Sequence, residues 1–326
     1  MTGRRVRRLL AALAATLLWL GAAPTLGQAP TAACPPDVVS TDVVSTDVVS
    51  TGAADGAPRD RGLLWRITRD GHSSYLYGTL HVGKPAWQRP GPQVAAALRA
   101  SDVLALEVDP GDPALLQALT GLPRGAALPA PLNDRLQQAF ERACVAPASL
   151  APLHPVLQTT TLVVLEARWL GMDPAFALEQ MLTTQARVAG LRVVALETAA
   201  QQTAALLPAS DAETHALIDQ SLRQLEDRSA RRVLARLAAA WESGDLAALE
   251  DYEHWCDCVA SDSDRATLGR LNDGRNPTLA SGIEARHRQG RRLFAAVGAL
   301  HMTGPQSLPR LLAKQGFAVE RVAFER

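Results

Sequence analysis

The sequence predicts an α/β protein: a mixed central sheet with flanking helices and a large helical insertion. Three observations carry that prediction. Short apolar runs alternate with long stretches of helical spacing, an Asp-Gly turn joins the first two runs, and the later runs are continuously apolar, as strands covered on both faces are. The hairpin comprises Leu63-Leu64-Trp65-Arg66-Ile67-Thr68 and Ser74 to Leu80, separated by Arg69-Asp70-Gly71-His72. Gln93 to Ala100 reads as a short helix and Val103 to Val108 as a buried strand. Arg192 to Leu196 and Leu293 to Val297 read as buried strands too, and Phe317 to Phe324 alternates like a closing strand. Between them the spacing predicts helices near 130–144, 155–170, 175–189 and 211–241. In the last, Ile218, Leu222, Leu225, Val233, Leu237 and Trp241 form one apolar stripe. A sheet of four to six strands follows, with no linker that splits the folded part into independent domains.

The chain has 326 residues, 47% of them apolar, which is enough for a large core. Its 33 basic and 33 acidic side chains exclude broad electrostatic capture of nucleic acid. Lys84 and Lys314 are the only lysines, so a lysine-based Schiff base or phosphate cradle has little material. Residues 1–27 read as a signal peptide: Arg4, Arg5, Arg7 and Arg8, then the apolar run Leu9 to Leu20, then small residues up to Gly27. The run is short for a bilayer span, and an uncleaved anchor is the alternative reading. The chain is therefore expected to be exported, periplasmic or secreted from a bacterium, with no stable membrane span after cleavage. Residues 28–61 read as a flexible linker, with Asp-Val-Val-Ser-Thr repeats from Asp37 to Thr51, and residues 62–326 as the folded domain. No stripe marks an oligomeric face.

Cys34 follows Thr31-Ala32-Ala33, a poor lipid-attachment signal, so a lipoprotein is a minor alternative. In an exported chain cysteines tend to be oxidised. A disulfide of Cys144 with Cys256 or Cys258 is thus preferred to a metal site at His254-Trp255-Cys256-Asp257-Cys258. Four cysteines permit three full pairings.

The candidate chemistry lies at strand ends. Gly78-Thr79-Leu80-His81 closes the first hairpin, Glu107 and Glu197 close the second and third buried runs, and Gly298-Ala299-Leu300-His301 follows the fourth. Loops at one end of an α/β sheet gather side chains from distant parts of the chain. Two imidazoles with carboxylates suit a divalent metal such as Zn, Mn or Co, which acidifies a bound water for attack on a carbonyl. A consistent assignment puts His81, His301 and one glutamate on the metal and leaves the other as general base; Glu107 as ligand and Glu197 as base is preferred, the reverse being the alternative that sequence alone leaves open. The plain alternative is structural: a hydrogen-bonded histidine after a strand, a capping glutamate at its end. His154, His215 and His287 have no matched partners and read as structural or solvated. There is no His-Glu-x-x-His, Gly-x-Ser-x-Gly, Walker loop or Gly-x-Gly-x-x-Gly.

Several segments together resemble one family. They are Tyr75 to Gly83, Ala105-Leu106-Glu107-Val108-Asp109, Ala195-Leu196-Glu197-Thr198 with Gln201 or Gln202, Trp241-Glu242-Ser243-Gly244-Asp245, Arg275-Asn276, and Val297 to Gly304. In residues and order they resemble the TraB/GumN family, over roughly residues 62–324. The resemblance implies an EreA/ChaN-like α/β fold and, by likeness to the Tiki proteins, a metal-dependent protease acting on peptide or protein substrates. It implies a site of His81, His301, Glu107 and Glu197, with Arg275 and Asn276 orienting a carboxylate or stabilising an oxyanion. One departure stands out: Glu179 occupies a place where the family commonly has Asp, which puts the local geometry in question. The competing functional class is a non-catalytic peptide- or haem-binding protein that uses the same histidines.

Overall fold

The computed structural model describes residues 34–38, 58–259 and 261–324. The signal-peptide segment and most of the repeats lie outside the described residues. Six strands form one mixed sheet: β1 (Leu63–Arg69), β2 (His72–Thr79), β3 (Val103–Leu106), β4 (Arg192–Ala195), β5 (Leu293–Gly298) and β6 (Ala318–Arg321), in the order β4-β3-β5-β2-β1-β6. The β1–β2 hairpin turns at Asp70 and Gly71, whose φ values of 51° and 80° are the left-handed pair a tight two-residue turn requires. β1 also pairs antiparallel with β6, whereas β2, β5, β3 and β4 are mutually parallel. Four strands therefore end at the same edge of the sheet. β5 lies among the parallel strands and its Leu293–Val297 are fully buried, which is why that run is apolar at every position.

The longer helices are α1 (Pro92–Arg99), α2 (Pro113–Thr120), α3 (Ala130–Arg142), α4 (Pro155–Leu165), α5 (Leu178–Val188), α6 (Ala199–Leu206), α7 (Asp211–Glu226), α8 (Ser229–Glu242), α9 (Asp262–Leu271), α10 (Asn276–Arg288) and α11 (Leu308–Lys314). The helical insertion enters twice, between β3 and β4 and between β4 and β5. Two cores result. One surrounds the sheet; the other unites Leu115, Phe140, Leu157, Ile218 and Leu222 from α2, α3, α4 and α7. No helix among the described residues is long and apolar enough to cross a membrane.

Several expectations need correction. The single helix over 211–241 is two helices, broken at Asp227 and Arg228; Arg228 has φ 61°, and the Asp227 carboxylate accepts from Ser229 N. The eight-residue gap between Leu225 and Val233 in the apolar stripe falls on that break. The stretch 155–170 ends its α-helix at Leu165 and continues as a 3-10 segment to Leu170, where Gly171 takes φ 70°. Cys144 pairs with Cys34, and Cys256 with Cys258, so neither expected partner of Cys144 is the observed one. The Cys34 sulfur, being in a disulfide, is not available for lipid attachment. The C-terminal end of the expected flexible linker is also anchored: Asp60 accepts from Gln93 N and Val94 N and so caps α1, while Arg61 O accepts from the Tyr77 hydroxyl.

Trp241 shows how the helical layer grips the sheet. Its indole N–H donates to Gly78 O (2.7 Å), and its backbone O accepts from Gly62 N (3.0 Å). Gly62 has φ 79°, and a Cβ there would stand 2.7 Å from the indole nitrogen, so only glycine fits against this ring. The neighbouring Glu242 accepts from Trp87 and Lys84, Gly244 takes φ 64°, and Asp245 accepts from Ala248 N. The Trp-Glu-Ser-Gly-Asp segment thus clamps the end of β2. We expect Trp241→Phe, which leaves Gly78 O buried without its donor, to lower stability by about 1–3 kcal/mol in urea denaturation.

Candidate functional site

The two Gly-x-x-His segments end neighbouring parallel strands, with Thr79 of β2 opposite Gly298 of β5. A Cβ on Gly78 would stand 3.2 Å from the Ala299 Cα, so a glycine there lets the two segments approach. Past β5 the chain enters a 3-10 turn over Ala299–Met302, which buries His301 over the strand end. On the other side of β5, β3 and β4 stay paired beyond their last residues: Leu196 N donates to Leu106 O and Glu197 N to Glu107 O (2.9 Å). Glu107 and Glu197 therefore lie side by side and buried.

Arg275, at the start of α10, reaches into this pair. Its Nη2 donates to Glu107 Oε2, to Glu197 Oε2 (2.8 Å) and to Gln202 Oε1 (2.6 Å), and its Nε donates to both oxygens of Glu197 (3.2 and 3.1 Å). Its Nη1 donates to Leu271 O (3.2 Å) and lies 3.4 Å from His301 Nε2. Glu107 Oε1 accepts from Gly298 N (2.7 Å). Burial opposes the charge on both glutamates. In Glu107, Arg275 and the nearby imidazoles overcome it and hold the carboxyl well below its ordinary range; in Glu197, burial outweighs Arg275 and raises the pKa.

The two histidines are in different states. His301 Nδ1 donates to Asn276 Oδ1 (2.6 Å), and Asn276 Nδ2 donates to Gln306 O (2.9 Å), which fixes the amide and hence the tautomer. The His301 Nε2 is left with its lone pair, 3.7 Å from Glu107 Oε1. Burial pushes the His301 pKa down to about 4, so the ring is neutral at pH 7. His81 is half-exposed, with Nδ1 3.1 Å from Glu179 Oε1. Burial depresses its pKa, but the charge of Glu179 and the hydrogen bond to it prevail and raise it to about 9. Glu179 Oε1 also accepts from the Thr79 hydroxyl, while its buried Oε2 has no partner. The longer acid at position 179 thus reaches His81.

These groups form the floor of a cavity of about 390 Å³. His81, Glu107, Gln202, Arg275 and His301 line it; Glu197 and Asn276 do not. Glu197 is behind Arg275, and Asn276 is fully buried and orients an imidazole. Gln201 forms a capping box with Thr198 at the start of α6, which leaves Gln202 as the glutamine of the site. The Thr-x-x-Gln pattern of a capping box was the signal that separates them. Thr79, within the first Gly-x-x-His segment, is the residue whose part the sequence reading missed. Outside the site, Cys256 and Cys258 are bonded to each other and His254 is paired with Asp251, an arrangement that offers no metal site there. His154 caps α4, and His287 is buried between Ser74 and Arg69 O. Among the described residues, no three His, Cys, Asp or Glu side chains stand grouped to hold a metal ion as they are now placed.

The model of the TraB/PrgY/gumN family matches residues 63–321, most of the chain, and the protein belongs to that family. No curated protein and no solved structure matches it.

Two outcomes are expected. Arg275→Met leaves two buried carboxylates facing each other without a cation and should destabilise the protein by about 3–5 kcal/mol. Because the Glu107 pKa is depressed, its stabilising contribution is present above the ordinary glutamate value of about 4.3 and is lost as pH falls. In the variant, burial without the guanidinium raises both carboxyl pKa values, so the acid loss should disappear and the gap to the wild type should narrow as pH falls, as denaturation across pH will report. Glu179→Gln removes the charge that raises His81, and the His81 titration followed by NMR should move down towards about 6.5.

Proposed function

We propose that this chain is an exported, metal-dependent hydrolase that acts on peptides. The observation that carries the proposal is the neutral His301, whose Nδ1–H is held by Asn276 so that its Nε2 lone pair faces Glu107 at the floor of the cavity. An imidazole that donates its other nitrogen to an oxygen acceptor is the usual state of a metal ligand. Charge supports the same reading. When the His81 proton is displaced, Glu107, Glu179 and Glu197 face only Arg275, and a divalent cation would supply the positive charge that the proton supplied. The donor types fit Zn, Mn or Co, and His81, His301 and Glu107 are the residues that would hold the ion. When bound, such an ion supplies an acidified water for attack on a carbonyl.

The chain's own groups have separate tasks. Asn276 fixes the tautomer of His301, and Glu179 orients His81 so that its Nε2 is left for ligation. Glu197 binds the guanidinium from behind. Its raised pKa suits a proton acceptor, but both its oxygens are held by Arg275 and it does not line the cavity. Positioning Arg275 is therefore the role the geometry favours, in place of general base. Arg275 Nη1, which donates to Leu271 O and makes a long contact to His301 Nε2, is the least tightly held of its donors and the one that could turn to a carbonyl oxygen that becomes negative. The two disulfides are in keeping with an oxidising compartment.

A second reading, peptide or haem capture without cleavage, draws on the saturated hydrogen bonding of Arg275. One experiment separates the two. The exported chain, incubated with Zn, Mn or Co, should retain about one ion per chain and hydrolyse peptides. His81→Ala with His301→Ala should lose both, whereas Glu197→Gln should keep the ion. Metal affinity should rise with pH until His81 has shed its proton, near pH 9. Peptide binding that survives chelation, with no cleavage in any metal, would sink the hydrolase; a Soret band after incubation with haem would identify the other ligand.

A further inference from the structure

The wall of the cavity opposite its charged floor is aliphatic. Val164 of α4, Leu206 of α6, Leu234 and Leu237 of α8, and Leu268 and Leu271 of α9 all line it, and each is only half-buried. Among the described residues the large apolar side chain with high exposure is Val188, at the end of α5 and outside the lining of the cavity. Val164, Leu234 and Leu237 also pack on the sheet core, and Leu206 on the helical core. Leu268 and Leu271 belong to neither core, and α9 buries none of its residues. One turn apart on the helix, they share the face that lines the cavity. Packing of the folded chain does not account for two leucines placed in this way; an apolar group inside the cavity does.

The geometry points to a side-chain subsite: the cavity receives one large aliphatic or aromatic residue of a peptide, adjoining the amide bond presented to His81, Glu107 and His301. This inference rests on the hydrolase reading and adds its substrate class. A volume of about 390 Å³ is at the lower end for ligand sites, which suits one or two residues of an extended chain. The wall carries no charge, so an acidic or basic side chain entering it would lose its hydration without a partner. Leu234 and Leu237 of α8 and Leu268 and Leu271 of α9 line the same cavity as the polar groups, so a side chain held among them brings its own backbone to those groups.

The test uses the exported chain with Mn or Zn and a peptide series that varies one residue beside the cleaved bond through Leu, Phe, Gly, Asp and Lys. We expect kcat/KM for Leu and Phe to exceed that for Gly, Asp and Lys by roughly ten- to a hundred-fold. Leu268→Asp should invert part of this order, raising Lys relative to Leu, a change that misfolding does not produce. Leu268→Met should retain the wild-type preference. Binding of N-acetyl-leucinamide and N-acetyl-aspartamide, followed by NMR, gives a readout that needs no cleavage: only the first should bind, and Leu268→Asp should abolish it. Cleavage that is indifferent to the varied residue would overturn the subsite and leave the hydrolase standing. Selective leucinamide binding without cleavage of any peptide would uphold the subsite and sink the hydrolase. Indifference in both assays would overturn the subsite.

Discussion

Two glutamates buried side by side at the ends of adjacent parallel strands cannot both remain ionised without a cation between them. Arg275 is that cation, and most of the site is arranged around it. Glu107 and Glu197 are brought together by the β3–β4 register, whose hydrogen bonds continue past the strands to the glutamates themselves. The guanidinium arrives from the far side, on the turn that starts α10, and Gln202 and Leu271 O take up the donors that the carboxylates leave. A planar fork with five N–H groups can do this; a lysine ammonium, with three donors on one atom, could not span the same acceptors. The neighbouring residue, Asn276, fixes His301, so one short stretch of chain sets both the charge and the tautomer of the site.

The sheet supplies the other half of the constraint. Because β2, β5, β3 and β4 are parallel, their ends share one edge, and residues separated by more than two hundred positions become neighbours there. The hold of Trp241 on Gly78 and the close packing of Gly78 on Ala299 keep the two histidine segments together. These contacts lie behind the cavity. They act on chemistry only through the positions of His81 and His301.

Much of this was legible in the sequence for a definite reason. A strand covered on both faces is apolar at every position, so a polar residue directly after such a run is a strand end, and strand ends converge in an α/β sheet. Glu107, Glu197, His81 and His301 were found in that way. Pairings between side chains were less accessible. Nothing in the local pattern says that Arg275 lies between the two glutamates, because the approach of α10 is a tertiary fact, and the roles of Glu197 and Asn276 follow from that approach. The disulfides illustrate the same limit: spacing does not say which of four cysteines are within about 6 Å of one another. The apolar wall was hidden for another reason. Leucines that line a cavity have the same helical spacing as leucines in a core, and only their absence from either core tells Leu268 and Leu271 apart.

The glutamate at position 179 shows why a departure from a family pattern has to be judged by its surroundings. The start of α5 is tied to the segment around His81 chiefly through the backbone: Gly83 and Asp173 exchange both hydrogen bonds, and Leu178 N donates to Leu80 O. The distance between the helix start and the histidine is thus set before any side chain is chosen. Across that distance Glu179 meets both Thr79 and His81 with one oxygen. In the first turn of a helix its charge also faces the positive end of the helix dipole. An aspartate on the same backbone would fall short by about one carbon–carbon bond, roughly 1.5 Å, unless the Gly83–Asp173 bridge shifted with it. Position 179 and that bridge form one unit, so the longer acid is tolerated where the backbone stands far enough back to require it.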